Sequence, residues 1–307
     1  MTTAVVFGSN SWLARNFLKA SRGAFSEVIA IDRFALPVLN LVDLSLQSRI
    51  DRPIPEDEYI FLMNSLREKP NLVFFLFAWA GTPRASVGEN SQVIFTANNW
   101  IISNYCRLIN DVLPAQVVFV SSAGAIYQQG SEACESDETS NISPITPYGS
   151  QKLSCECSLQ KICSAAGVSL ASLRVSSAYG YNPSIPDQGV ANVWLHSALN
   201  GHPLKIYNSL DSEINFVADY QISSVLSSVV SKQLSGVYNL GSHSSTSLQS
   251  LLEGVKALFG DKVLSTNIYR NDLRVVRINS KKLYEAIGYT VEPCILSDLK
   301  TILDAMS

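Results

Sequence analysis

Five short apolar runs mark the first 175 residues: "AVVFG" from Ala4, "EVIAID" from Glu27, "NLVFFLFAWA" from Asn71, "QVVFVSS" from Gln116 and "VSLASLRV" from Val168. Each has the length of a buried strand and is bounded by turn-forming or charged residues. Between them, Asn98 to Leu113 and Tyr148 to Ala166 place apolar residues at helical spacing. Strands alternating with helices predict an α/β fold of Rossmann type, a doubly wound parallel sheet. The polar stretch "EACESDETSNISPITP" (Glu132 to Pro147) reads as a surface loop leading into the next helix. Beyond about Ser176 the alternation fades into turn-rich segments, "YGYNPSIPDQG" and "NGHPLKIYNS", followed by a return strand "GVYNLG". This pattern predicts a first domain over 1–175 with a return segment at about 214–240, and a smaller, discontinuous α/β domain over 176–213 and 241–307.

Composition narrows the class. Of 307 residues 47% are hydrophobic and only 16% charged, which suits a large buried core and argues against disorder. The formal net charge of −3, with no basic run, argues against nucleic acid as a partner. The longest apolar block, "LVFFLFAWA" (Leu72 to Ala80), is too short to span a bilayer. The amino terminus enters an apolar run with no basic region or cleavage site, so no signal peptide is expected. Six cysteines include no CxxC, and Cys155 and Cys157 point to different helix faces. The three histidines lack ligand spacing. A reduced, cytoplasmic enzyme without a structural metal is the expectation.

Two motifs carry chemistry. In "VVFGSNSWLARNF" (Val5 to Phe17), Gly8 stands where a dinucleotide-binding turn needs its tightest bend, and Ser11 and Ala14 replace the other two glycines. Backbone N–H groups at the following helix start can still hold phosphate. Asp32, 24 residues after Gly8, ends the second apolar run, where a carboxylate accepts hydrogen bonds from the adenosine ribose. Its charge opposes a 2′-phosphate and favours NAD, while the adjacent Arg33 leaves NADP open. In "TPYGSQKL", Tyr148 and Lys152 share one face of a helix whose start Pro147 fits. An ammonium beside a phenol favours phenolate, a usable base. The spacing alone is weak; its order after a dinucleotide turn, an acidic strand end and the Ser121-Ser122 strand end gives it meaning.

On these residues, and on "REKPNLVFFLFAWAG", "NNWIISNYCRLI", "VVFVSSAGAIY", "LRVSSAYGYNP", "GVYNLGS" and "INSKKLYEAIGY", nearly the whole chain resembles the extended short-chain dehydrogenase/reductase family, in its NAD-dependent nucleotide-sugar epimerase/dehydratase group. The resemblance implies that a strand-end hydroxyl, Ser122, bonds the sugar hydroxyl, Tyr148 takes its proton and Lys152 grips the nicotinamide ribose. It places Asp43, after Val42, by the adenine amine. The cofactor is further expected against Trp12, Leu13, Leu44, Ala78, Trp79 and Ala80, and the substrate against Ser121, Asn98, Ser177 and Arg270, with Arg274 following. Asn98 is read as beginning its helix.

The departures from the family pattern are informative. Counted back from Tyr127, the usual hydroxyl position falls on Ala123, leaving Ser122 or Ser121 to polarise the substrate. Ala123-Gly124-Ala125 offers no acid/base pair, which argues against a dehydratase. Ser212 stands where the family has an arginine, so phosphate binding shifts to Arg270. The resulting expectation is an NAD-dependent nucleotide-sugar epimerase, at C4, acting on a nucleotide-diphosphate sugar. A nucleotide-sugar 4-ketoreductase or dehydrogenase and a non-catalytic NAD(P)H sensor are the alternatives. The resemblance also implies a homodimer built on the "NNWIISNYCRLI" and Tyr148 helices.

Overall fold

The structure, a computed structural model, describes residues 2–35, 38–42, 52–53, 56–83, 85–127, 135–181, 189–260, 263–267 and 273–306. In chain order the first elements are β1 (Thr3–Phe7), α1 (Trp12–Ala20), β2 (Glu27–Ala35), β3 (Val38–Val42), β4 (Arg52–Pro53), α2 (Glu56–Arg67) and β5 (Leu72–Leu76). There follow α3 (Ser91–Val112), β6 (Gln116–Ser122), α4 (Ala123–Ile126), β7 (Glu135–Ser136), α5 (Pro147–Ala166), β8 (Ser169–Val175) and β9 (Ser177–Tyr179). Next come α6 (Val190–Leu199), β10 (Leu204–Ile206), β11 (Glu213–Ile214), β12 (Phe216–Ala218), α7 (Asp219–Ser231) and β13 (Gly236–Leu240). The last are β14 (Thr246–Ser247), α8 (Leu248–Phe259), β15 (Ser265–Asn267), β16 (Arg277–Ile278), α9 (Lys281–Ile287) and α10 (Ile295–Met306).

Two compact units are formed, one of Met1–Ile126, Ser143–Arg174 and Ser223–Tyr238, the other of Tyr127–Ile142, Val175–Ile222 and Asn239–Ser307. The first holds the main sheet, in the order β13-β8-β6-β5-β1-β2-β3-β4. β1 pairs in parallel with β2 and with β5, and β5 in parallel with β6. The five apolar runs of the sequence supply β1, β2, β5, β6 and β8. β1 and β5 are buried along their whole length, as continuous apolar strands with both faces covered must be. Phe7 and Phe17 bridge sheet and helices, with Phe7 of β1 edge-on to Tyr105 of α3 at 6.2 Å and Phe17 of α1 packed on Phe75 of β5 at 4.5 Å between centroids.

Beyond β2 the sheet departs from the all-parallel expectation. β3 runs antiparallel to β2, and β4 antiparallel to β3. Only two residues separate Ala35 from Val38, and a parallel crossover needs a dozen or more. The register shifts between Asp32 and Phe34, and β2 continues to Ala35, so Asp32 lies within the strand and does not end it.

The helices start where local chemistry allows. At α5 the Thr146 hydroxyl accepts the Gly149 N–H at 3.2 Å, with Pro147 in the first turn. A Cβ at Gly149 would run into the Ala125 carbonyl, so glycine lets α5 lie against α4. α3 begins at Ser91, two turns ahead of Asn98, which corrects the expected helix start.

The second unit has its own core, built on Trp194, Leu195, Leu251, Leu252, Val255 and Leu299 from α6, α8 and α10. Its strands form small pairs: β9 with β12, β7 with β16, β10 with β15 and β11 with β14. It takes in 127–142 and runs on to Ile222, where the sequence reading drew the first domain through 175 and resumed it at about 214. Among the described residues no helix is long and apolar enough to cross a membrane.

Candidate active site

After β2 the chain returns to the other side of β1 as β5, so the strand order reverses between β1 and β5. The carboxyl ends of two such strands splay apart and leave a crevice for a ligand. Gly8 closes β1 there. Its φ of +78° is open to glycine, and a Cβ would collide with the Ala78 backbone, which bonds to the Phe7 carbonyl at 3.1 Å. The Gly8 and Ser9 N–H groups both donate to the Ile31 carbonyl, at 2.8 and 3.2 Å, and bend the chain toward Asp32. α1 then opens on Ser11, whose hydroxyl does not cap it.

The turn contains polar groups without a protein use. Ser9 Oγ, Asn10 Nδ2, Ser11 Oγ and Trp12 Nε1 are buried and have no hydrogen-bond partner among the described residues. Four orphans in four residues, at a helix N-terminus under a close-packed glycine, fit the diphosphate of a dinucleotide. The buried Asp32 carboxylate accepts the Asn10 N–H at 3.3 Å, which ties it to the same turn. Leu13 follows in the first turn of α1, and Arg33 follows Asp32 in β2. Asp43, Leu44 and Arg270 lie outside the described residues.

Tyr148 and Lys152 stand one turn apart at the start of α5, facing the ends of β5 and β6. The Lys152 ammonium donates to the Val120 carbonyl at 2.9 Å and lies over Trp79, 4.1 Å from the ring centroid. It is 4.9 Å from the Phe119 ring and 5.9 Å from the Tyr148 ring. Trp79 meets Tyr148 edge to face at 6.3 Å. Burial pushes Lys152 down to about 8, against the opposing pull of Cys155 and Glu156. Burial also pushes the Tyr148 phenol up to about 12. The sequence predicts that the ammonium lowers the phenol; in this geometry desolvation wins, with one ammonium proton on the Val120 carbonyl and the ammonium 5.9 Å from the Tyr148 ring.

At the end of β6, Ser121 is buried with its hydroxyl unpartnered among the described residues, Ser122 is half-buried, and Ala123 is buried as the first residue of α4. Asn98 was expected at the substrate. Its amide is instead taken up by protein: Oδ1 accepts the Ala80 N–H at 2.8 Å, and Nδ2 donates to the Ala80 carbonyl at 3.2 Å and to Gln151 Oε1 at 3.1 Å. Gln151 in turn donates to the Phe95 carbonyl at 2.8 Å. The sequence reading missed Gln151; its place beside Lys152 on α5 was the available signal. Together the two amides fasten the Ala78–Ala80 segment to α3 and α5, and Tyr105 adds a bond to the Ala78 carbonyl at 3.0 Å.

In the second unit, Ser177 lies in β9. Ser212, at the missing arginine's position, is buried and accepts the Arg274 backbone N–H at 3.1 Å. Arg277, which the sequence reading passed over, grips Glu213 with two bonds of 2.7 Å beside a polar pocket of about 650 Å³. Among the described residues no group of histidine, cysteine and carboxylate side chains could hold a metal ion.

Residues 4–247 match the model of a family described as the NAD dependent epimerase/dehydratase family. No curated protein matches the chain in sequence. Several solved structures are similar in fold. The UDP-glucose 4-epimerase of Thermus thermophilus, in complex with NAD, has a TM-score of 0.80 at 19% identity and covers 99% of each chain. The UDP-N-acetylglucosamine 4-epimerase of Methanobrevibacter ruminantium, in complex with UDP-N-acetylmuramic acid, has 0.80 at 20%, covering 99% of this chain and 97% of its own. The UDP-glucuronic acid 4-epimerase of Bacillus cereus, in complex with UDP-glucuronic acid and NAD, has 0.78 at 15%, covering 99% of each.

Proposed function

Because the chain belongs to the NAD dependent epimerase/dehydratase family, we propose that it is a nucleotide-sugar epimerase acting at C4. The observation that carries this reading is the cluster at the end of β6, where the half-buried Tyr148 phenol and the buried Lys152 ammonium stand together beside Trp79. The first turn holds the diphosphate of NAD on the N–H groups of Ser11, Trp12 and Leu13, with Gly8 giving the close approach and Asp32 and Arg33 meeting the adenosine ribose. Asp43 and Leu44 flank the adenine, and Ala78, Trp79 and Ala80 bound the nicotinamide end.

Tyr148 accepts the proton of the sugar C4 hydroxyl, and Ser122 or Ser121 orients that oxygen. Lys152 holds the nicotinamide ribose. When bound, the cofactor would supply the hydride acceptor and, in its oxidised form, a positive charge that favours the ionised phenol. Ser177 and Arg270 are the proposed substrate contacts. Asn98, with its amide consumed by Ala80 and Gln151, acts on the site through the backbone it holds. Ala123, Gly124 and Ala125 give no acid or base for eliminating water. The reading extends to a cytoplasmic homodimer packed through α3 and α5, and α3 leaves Val93 and Phe95 exposed.

The deciding experiment supplies UDP- and dTDP-hexoses with catalytic NAD and no reductant, and follows C4 configuration by NMR. Inverted sugar without accumulating NADH is the expected result. Turnover only with stoichiometric NAD(P)H and a 4-keto sugar would identify a ketoreductase instead.

A further inference from the structure

Three titratable residues of α5 form a stripe. Tyr148, Lys152 and Glu156 recur every fourth residue and so share one helix face. Lys152 and Glu156 are both buried, yet they do not bond to each other. Glu156 is held from the far side by Arg174 of β8, also buried: Nη2 meets Oε2 at 2.8 Å, and Nε meets Oε1 and Oε2 at 3.1 and 3.2 Å. A buried ion pair is weak support for a fold, since an apolar pair of equal volume serves as well or better. Its position one turn behind a buried ammonium gives it a different use.

The surroundings of Lys152 are otherwise poor in countercharge. The strands offer the Val120 carbonyl and the Trp79 and Phe119 rings. The titratable or charged groups that face it are Tyr148, Cys155 and Glu156 on α5, with Arg174 behind Glu156 on β8 and Tyr105 on α3 behind Cys155. Glu156 is the one carboxylate among them. We propose that the Glu156–Arg174 pair is a positioning element for Lys152: the carboxylate keeps the buried ammonium protonated, and the guanidinium holds that carboxylate out of reach so that the ammonium stays free for its ligand. Without Arg174, Glu156 and Lys152 are at the spacing at which helix ion pairs close. Glu156 would then draw Lys152 away from the Tyr148 end of the stripe. The role rests on the proposed use of Lys152 in catalysis.

The test reads Lys152 in the ligand-free, full-length protein, labelled at lysine ε-carbons and assigned by the signal lost in Lys152→Gln. Arg174→Met should move the Lys152 titration up by about one pH unit as Glu156 closes on it, and Arg174→Lys should restore it in large part. The neutral double variant Glu156→Leu/Arg174→Met should move it down by about one unit, and the alkaline limb of kcat/KM should follow. If Arg174→Met does not fold, the double variant, which leaves no unpaired charge, decides alone. A Lys152 midpoint that stays put in the double variant overturns the proposal. The NMR titration needs no turnover, so failure of the epimerase reading would show separately, as absent product in the wild type.

Discussion

The Lys152 ammonium rests on the face of Trp79, 4.1 Å from the ring centroid, with the Val120 carbonyl taking one of its protons. A desolvated cation on an indole gains about 2 kcal/mol. Trp79→Phe keeps a ring face and should cost kcat only a few-fold. Trp79→Leu removes the face and should cost about 10-fold or more. Equal losses in the two variants would mean that bulk at this position matters and the ring face does not.

Tyr148→Phe removes one oxygen from a half-buried ring that already meets Trp79 edge to face. Turnover should fall by about 10²–10⁴, with NAD affinity within a few-fold of wild type by fluorescence titration. A variant keeping more than about a tenth of kcat would end the case for Tyr148 as the base.

Lys152 also leaves a mark on stability. Its folded-state pKa, pushed to about 8 by burial, lies below that of an unfolded lysine near 10.4. Between these values the unfolded chain binds more protons, so stability rises with pH across the window from about 8 to 10.4. Below it the charged Lys152 burdens the fold. Lys152→Met should therefore be more stable than wild type at pH 7, by on the order of 3 kcal/mol. The gap should close as pH approaches about 10.4. Urea unfolding of both proteins at pH 7 and 10 checks it, and a gap that does not narrow refutes it.

How far the sequence discloses this molecule depends on the kind of signal. Uninterrupted apolar runs such as "LVFFL" can be little else than buried parallel strands, and all five became sheet strands. The start of α3 was hidden because its first two turns, "SQVIFTA", leave Val93 and Phe95 exposed and carry no clean apolar face. The antiparallel edge was hidden because "RFALPVLNLV" continues β2 without the polar break that would mark a hairpin. Tyr148 and Lys152 were legible as a spacing on one helix. The Glu156–Arg174 pair was not, since its members lie 18 positions apart and only the packing of α5 on β8 joins them.

Asn98 joins the Ala80 backbone to Gln151 by three hydrogen bonds, in a fully buried position. Asn98→Ala leaves the Ala80 and Gln151 groups unpaired and should cost about 1–3 kcal/mol of stability. NAD affinity should drop too, because Ala78, Trp79 and Ala80 lose their anchor. A stability loss with unchanged affinity would confine Asn98 to the fold.

Cofactor choice turns on Asp32. The carboxylate is buried and oriented by the Asn10 N–H at 3.3 Å, so it cannot swing away from a ligand on the same turn. A 2′-phosphate brought beside it would face a fixed like charge with little water between, where charges interact more strongly than in bulk solvent. Wild type should bind NAD more tightly than NADP. Asp32→Asn keeps an oxygen to accept the Asn10 N–H and removes only the charge. The NAD preference should then shrink by about 10-fold or more, a difference of roughly 1.4 kcal/mol. Titrating both cofactors against both proteins by fluorescence measures the four affinities needed. An unchanged ratio, or tighter NADP binding by the wild type, would move control of the pocket from Asp32 to the neighbouring Arg33.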